Sequence, residues 1–530
     1  MTTRPQSNPE TIDAAQGEAG GKQILMSTQQ VAESSEQNTD SLCDPHETCA
    51  GRRHFLSWGG FWVFALSLRI LVFLIYPGVL HADATFQFLE PAHRLAFGYG
   101  VVTWEWREGI RSWVLPATEA VVMRLSAWMG PGSSGYLYAT GFAFSLFSLT
   151  SVWFGYAWAK RVAGRSAGLI AVGALAIHFW MVYMATQTFS EVAATGFLLP
   201  ALYFGYFAAP PRKNCKLFLA GLLLGVAIGL RIQLIPVICI VCLWFFFSRR
   251  RQSILAFATG FLLSFLAFGI TDLLTGKFLF GSYILYFRVN FIADKASLYG
   301  VYPWYWYFKV LILFLGPAVL LLWQGARRTP FLATIAFCIF LFHSFIAHKE
   351  IRYLYPILPM LLTLAAIGAA DYATMLGKRV KRLVSLHAKV GLGIGFFTLS
   401  SLLVAITSMH FLERQISSQP TQWIRPAYIY LSRDPNLCGL GLFNISWSKS
   451  GGVAYLHRNV QILPLESPQE VEGSSMYFNN LFAPEDNRSI PAAFHLARCW
   501  HGVCLYQRPG GCSAAPEEAT FNGFLRRRGE

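Results

Sequence analysis

Charge is what this chain has little of. Asp, Glu, Lys and Arg make up 13% of its 530 residues, about half of the roughly 25% usual in soluble proteins. That scarcity excludes a disordered protein, a coiled coil and an ordinary cytosolic enzyme. A basic stripe of the kind that grips nucleic acid is also absent. The net charge of +15 is spread otherwise. The first fifty residues hold two basic and eight acidic groups, a net −6, which leaves +21 on the remainder, mostly in short clusters between apolar runs. No secretory leader is expected, because the first apolar run begins near Ser57, too late for one, and no small-residue cleavage site follows it.

What is present is apolar length. Hydrophobic residues are 54% of the chain. A helix needs about 20 of them to cross a bilayer core. That rule predicts spans near 57–77, 136–158, 167–185, 191–209, 217–232, 234–248, 253–272, 305–323, 331–347, 353–371 and 389–410. Residues 1–52 are polar, nearly free of aromatics, and expected to be a disordered cytoplasmic tail. Residues 53–411 are expected to form the membrane domain, and 412–530 a small domain outside the membrane.

The basic clusters set the topology. Arg52-Arg53, Lys160-Arg161, Arg212-Lys213, Arg249–Arg251, Arg327-Arg328 and Lys378-Arg379 all fall on one side if there are eleven spans. The positive-inside rule makes that side cytoplasmic. Merging the fifth and sixth spans would split the clusters. The expectation is therefore an all-α integral membrane bundle of about eleven helices, N-terminus inside and C-terminus outside, with amphipathic helices in the first outer loop. Four of the ten cysteines, Cys438, Cys499, Cys504 and Cys512, lie in the C-terminal segment. An even number in an oxidising compartment points to disulfides, with three possible connectivities. Zinc is the competing reading, ranked lower because these four show no paired CxxC spacing.

The chemically dense loops are the outer ones, whereas a channel or transporter would place ionisable groups near the midplane. That favours an enzyme working at the outer face. In the loop after the first span, Asp83, Gln87 and Glu90 are spaced by four and three, one face if the stretch is α-helical. Such a face can hold a carboxylate base with hydrogen-bonding partners; an interfacial amphipathic helix meets the same spacing. Lys349 and Arg352 sit outside, against the positive-inside bias, and Arg231 sits at the outer junction of two spans. Arg69 lies inside the first span and needs a protein or water partner.

The motifs add a resemblance. His81-Ala-Asp83, Leu89-Glu90-Pro-Ala-His93, Tyr99-Gly100, Thr103-Trp104-Glu105-Trp106 and Arg111-Ser112 resemble the first lumenal loop of the dolichyl-phosphate-mannose-dependent mannosyltransferases. These are GT-C glycosyltransferases of family 22, which include the GPI mannosyltransferases. Tyr299-Gly-Val-Tyr-Pro-Trp304-Tyr-Trp306-Tyr-Phe308 and His348-Lys349-Glu350-Ile-Arg352-Tyr-Leu-Tyr-Pro356 match later segments of the same family. The chain departs from the family's His-Pro-Asp-Glu at Ala82 and Ala84. The likeness spans about residues 57–370.

The resemblance implies mannosyl transfer from a polyprenyl-phosphate sugar to a lipid-linked or glycan acceptor. Such a donor has a good leaving group, so the chemistry asks for a base and for cations that hold the phosphate. Asp83 is expected to be the base, with Glu90 and Glu105 the other candidate carboxylates. His348, Lys349, Arg352 and Arg231 are expected to hold the phosphate. His81, His93, Trp104, Trp106, Arg111 and Trp304 are expected around the substrate, although an interfacial aromatic belt also explains the tryptophans. A single displacement would invert the anomeric centre. No metal site and no cofactor are expected: the outer loops hold no His-x-x-x-His pair, and the Asp-x-Asp clamp of nucleotide-sugar enzymes does not occur. The partners would be donor, acceptor and membrane lipid, with no nucleic acid. The membrane would be a bacterial inner membrane with a periplasmic site, or the ER with a lumenal one. A flippase, or a transferase for another sugar, is the alternative.

Overall fold

A computed structural model describes residues 45–75, 81–130, 132–247, 254–380, 385–416, 424–485, 489–500 and 502–530. For residues 45–59 and 410–416 it gives the course of the helix alone. The chain divides into two units, Met1–Val63 and Phe64–Glu530, and the larger one holds both the bundle and the C-terminal segment. The tail expected over 1–52 falls outside the described residues up to position 44; positions 45–52 already belong to the helix Pro45–Ile75.

Helices lie over every apolar stretch read from the sequence. Six among the described residues are long and apolar enough to cross a membrane, and the chain is an integral membrane protein. The stretches 136–158 and 167–185 begin in one run, Ser134–Ile177, bent where Gly164 takes a φ of 83°. Only a residue without Cβ adopts that backbone freely, so two helices meet there without a loop. Helices Lys213–Leu230 and Ile254–Leu274 approach through small residues. A Cβ on Gly221 would lie 1.9 Å from the Phe257 carbonyl oxygen, and one on Gly260 2.1 Å from that of Phe218. This contact fixes the helix end from which Arg231 emerges.

Arg69 finds its partners inside the bundle. It is fully buried, with Nε donating to Ser148 Oγ at 2.9 Å and Nη1 to the Ala65 carbonyl at 2.9 Å. Nη1 and Nη2 also reach the carbonyls of Ala176 and Leu175 at 3.2 and 3.3 Å. A cation on the last carbonyls of a helix satisfies orphan acceptors and complements the helix dipole.

The all-α expectation stops at the C-terminal segment. There the chain builds a five-stranded mixed sheet: β1 (Gly439–Phe443), β2 (Gln461–Leu465), β3 (Asn480–Pro484), β4 (His495–Trp500) and β5 (Val503–Gln507), in the order β2-β1-β3-β5-β4. β1 runs parallel to β2 and β3, while β5 is antiparallel to β3 and β4. The strands alternate with period two. Leu440, Leu442, Ile462, Phe482 and Leu505 face a core shared with the first outer loop. Phe443, Leu463, Leu465 and Leu481 face a second core with Val471 and Phe478.

Two disulfides staple this segment, Cys438–Cys512 and Cys499–Cys504. They lie 74 and 5 residues apart in sequence. Chain-entropy bookkeeping gives about 4 kcal/mol for the long loop against about 2 kcal/mol for the short one. Removing Cys438–Cys512 by paired serine substitution is thus expected to lower the thermal midpoint more than removing Cys499–Cys504, as melting in detergent would show.

Candidate active site

A cavity of about 550 Å³ opens beneath the first outer loop. Its charged floor comes from three breaks in helical structure. The first break is the entry to a π-helical turn, Ala84–Leu89, with Asp83 at its N-terminal end. The second is Arg231, extended between the helix ending at Leu230 and the one beginning at Pro236. The third is the segment from His348 into the 3-10 turn Ile351–Ile357, where Pro356 precludes a regular helix start.

Asp83 is ion-paired with Arg352 Nη2, and its backbone N–H donates to His81 Nδ1 at 3.1 Å. His81 therefore carries its proton on Nε2, which lies 3.3 Å from Glu350 Oε2. Glu350 is the hub of the site. It also accepts from Arg352 Nε at 2.6 Å, from His348 Nε2 at 3.2 Å and from the Tyr353 hydroxyl at 2.9 Å. Burial acts against its charge, but Arg352, His348 and His81 outweigh that and hold its carboxyl well below the usual carboxylate range.

Beneath these groups lies Glu191, fully buried at the start of the helix Ser190–Tyr206. Its Oε1 is 3.3 Å from both Arg231 Nη2 and Arg352 Nη1. The pairing is Coulombic without hydrogen-bond alignment. Arg231 Nε and Nη2 and Arg352 Nη1 are buried donors with no hydrogen-bond partner among the described residues. Such groups are rare enough to need a reason, and both arginines line the cavity.

Lys349 lines it too, but its ammonium is turned to the carbonyls of Tyr302, at 3.0 Å, and Ile346. Burial lowers its pKa. Glu105 accepts from Gln87 Nε2 at 3.2 Å and from Arg111 Nη2 at 2.5 Å. Burial raises its pKa despite Arg111. Trp104 lies parallel to Tyr299 at 6.2 Å, with Lys295 Nζ 3.7 Å from its ring centre.

The structure thus brings Asp83, Glu105, His348, Lys349, Arg352, Arg231, His81, Trp104 and Arg111 to one cavity. Glu90, His93, Trp106 and Trp304 do not line it. Glu90 corrects the shared-face expectation. The π-helical turn is wider than 3.6 residues, so a residue seven positions on no longer returns to the same face. Glu90 turns inward, accepting from the N–H groups of Val101 at 2.8 Å and Ala454 at 2.7 Å. Burial raises its pKa to about 7 against those hydrogen bonds. His93 is buried on His457, Nε2 to Nδ1 3.0 Å, and burial lowers its pKa to about 4. Trp106 packs on Trp113 at 4.3 Å, while Trp304 is 61% exposed.

Glu191 and Glu350 are two carboxylates of the site to which sequence reasoning assigns no role. Glu350 stands inside the His-Lys-Glu motif, and Glu191 opens an apolar span. An acidic residue at the start of such a span is the available signal. His81, Asp83 and Glu350 place one ligand atom each within 4.8 Å of one another. A divalent cation there would have to displace Arg352, which is bonded to both carboxylates.

The chain is similar to GPI mannosyltransferase 3 of Yarrowia lipolytica, 26% identical over 339 residues, 60% of this chain and 63% of the relative. It is similar to GPI alpha-1,2-mannosyltransferase 3 of Bos taurus, 26% identical over 328 residues and 59% of each chain. The chain spans about three-fifths of the length of these curated relatives. Among solved structures, ArnT from Cupriavidus metallidurans bound to undecaprenyl phosphate superposes with a TM-score of 0.58, covering 85% of this chain and 98% of that one. At 13% identity this likeness establishes the fold alone, the GT-C architecture. A sequence profile of the Alg9-like mannosyltransferase family matches residues 60–430, well over half of the chain, and the chain belongs to that family.

Proposed function

We propose that this chain transfers mannose from a polyprenyl-phosphate sugar to a lipid-linked or glycan acceptor, with inversion and with Asp83 as the general base. The observation that carries this reading is the set of orphaned guanidinium donors on Arg231 and Arg352 beside Asp83, which faces the cavity. A phosphate oxygen satisfies those donors, and planar guanidinium groups suit it. Undecaprenyl phosphate, the lipid bound in the ArnT structure, is chemistry of this class. The departing phosphate is held by Arg231 and Arg352, and His348, whose ring nitrogens are both engaged within the protein, adds positive charge beside them. Asp83 takes the acceptor hydroxyl's proton. Glu191 and Glu350 keep the arginines in place and offset part of their charge.

In this reading the bundle crosses eleven times, with its N-terminus in the cytoplasm. The cavity and the segment 412–530 then lie on the periplasmic face of a bacterial inner membrane. The test is transfer of radiolabelled mannose from synthetic polyprenyl-phosphate mannose to a mixed glycolipid extract by the purified chain. Label moving from that donor and not from a nucleotide sugar supports the reading; the reverse overturns it.

His348 gives the binding step a pH dependence. Both ring nitrogens face acceptors: Nδ1 lies 2.8 Å from the Gly300 carbonyl and Nε2 3.2 Å from Glu350. Burial works against the imidazolium, but these two contacts prevail and raise its pKa. A raised histidine keeps its charge below about pH 6.5 and loses it as pH rises through the elevated value. Donor affinity is expected to fall roughly 3–10-fold between about pH 6 and pH 9, and His348→Gln to remove that slope. Titration of polyprenyl-phosphate mannose across that range checks it.

A further inference from the structure

The family match ends at residue 430, yet the cavity does not. Trp447, Ser448 and Lys449, from the segment beyond it, line the same cavity. They form a single 3-10 turn between β1 and β2. The turn is anchored from both ends. Ahead of it, Phe443 is buried in the second core of the sheet. Behind it, Ser450 is buried and its hydroxyl donates to the Trp447 carbonyl at 2.7 Å.

Next, Gly452 packs against Glu90 so closely that a Cβ there would lie 2.2 Å from Oε1. The Ala454 N–H donates to the same oxygen at 2.7 Å. The hydroxyl groups of Ser133 and Tyr136 hold the carbonyls of Tyr455 and Ala454. A buried carboxylate and two buried hydroxyls therefore clamp the segment just after this turn to the first outer loop and to the start of the helix Ser134–Ile177. Glu90 thus serves this clamp and does not reach the cavity. The clamp delivers an indole. Trp447 is half-buried and meets Phe86 edge to face at 5.4 Å, three residues beyond Asp83.

We propose that Trp447 is the acceptor platform, on which a sugar ring of the acceptor stacks to bring its hydroxyl to Asp83. This rests on the transferase reading above. Arg231, Arg352 and His348 belong to separate elements and suit the phosphate of the donor, whereas Lys449 shares the turn of Trp447. In an inverting displacement the nucleophile arrives on the face away from the leaving group. An aromatic side chain on the same cavity as the base, carried by an element other than those of the two arginines, suits the incoming sugar. It lies outside the family match, so it would give this chain an acceptor preference of its own.

The test uses the full-length chain in lipid nanodiscs saturated with undecaprenyl phosphate, which fills the cationic side. Octyl α-mannoside is titrated as the probe, with octyl glycerol as the tail without a ring. Trp447→Ala is expected to weaken the mannoside about tenfold, Trp447→Phe to stay within about threefold, and undecaprenyl phosphate affinity to stay within about twofold in both. Unchanged mannoside affinity in Trp447→Ala overturns the proposal. So does equal affinity for octyl glycerol, since the ring is then not read. Loss of undecaprenyl phosphate binding in both variants overturns it in favour of a purely structural Trp447. A chain that binds mannoside through Trp447 but moves no label loses the transferase reading and keeps the site. Label transfer with Trp447→Ala unaltered in acceptor affinity does the opposite.

Discussion

Asp83→Asn is expected to cut mannosyl transfer by about 10²–10⁴-fold, the range a positioned base contributes. Binding of undecaprenyl phosphate should stay within about threefold. The substitution keeps the size of the side chain and a hydrogen bond to Arg352, but an amide does not accept the acceptor's proton. Asp83 is suited to that task by position. Its side chain is 26% exposed, against 0% for Glu191 and 11% for Glu105. Its backbone is tied to His81, and its carboxylate is aimed by a guanidinium that is itself held by two other carboxylates. Parallel measurements of label transfer and lipid binding on wild type and variant decide the matter. Equal transfer by both proteins would move the base to Glu105 or Glu350, which also line the cavity; Glu90, clamped on two backbone N–H groups, is no longer a candidate. Lipid translocation that survives the change, with no transfer by either protein, would favour a flippase.

Much of this site is legible in the sequence because the background is so apolar. In a chain with few charges, Arg352 and Lys349 outside the membrane and Arg231 between two spans stand out, and all three reach the cavity. The pairing among them is not legible. Glu191 is 161 residues from Arg352 in sequence, and only the packing of the helix Ser190–Tyr206 on the 3-10 turn Ile351–Ile357 makes them neighbours. Glu90 departs from its expected face for a local reason. Spacing arguments assume 3.6 residues per turn, and one π-helical turn breaks the assumption.

The tryptophans divide on packing. Trp104 finds a stacked partner at the cavity, whereas Trp304 faces outward as a belt residue would. The sheet escapes a sequence reading because its strands are five or six residues long and both faces are buried in places. Short, doubly buried strands leave little of the polar alternation that marks a half-exposed one.

Arg352→Ala is expected to be the most destabilising single change at the site. The guanidinium meets Asp83, Glu350 and Glu191 together, and it is 5% exposed. Removing it leaves three carboxylates facing one another with Glu191 wholly out of water. Breaking a buried ion pair from one side costs about 3–5 kcal/mol, because the partner's charge stays buried and uncompensated. Thermal melting in detergent should show a large drop, and undecaprenyl phosphate binding should be lost with it. Arg352→Lys separates the two effects. An ammonium restores the charge but not the planar fork that spans three acceptors, so most of the stability should return while donor affinity stays low. Glu350→Gln in the Arg352→Ala background should recover part of the loss, a coupling of about 0.5–3 kcal/mol, since the two groups share one network. A melting midpoint unmoved by Arg352→Ala would mean that the carboxylates are already compensated elsewhere, and the charge balance of this cavity would not rest on Arg352.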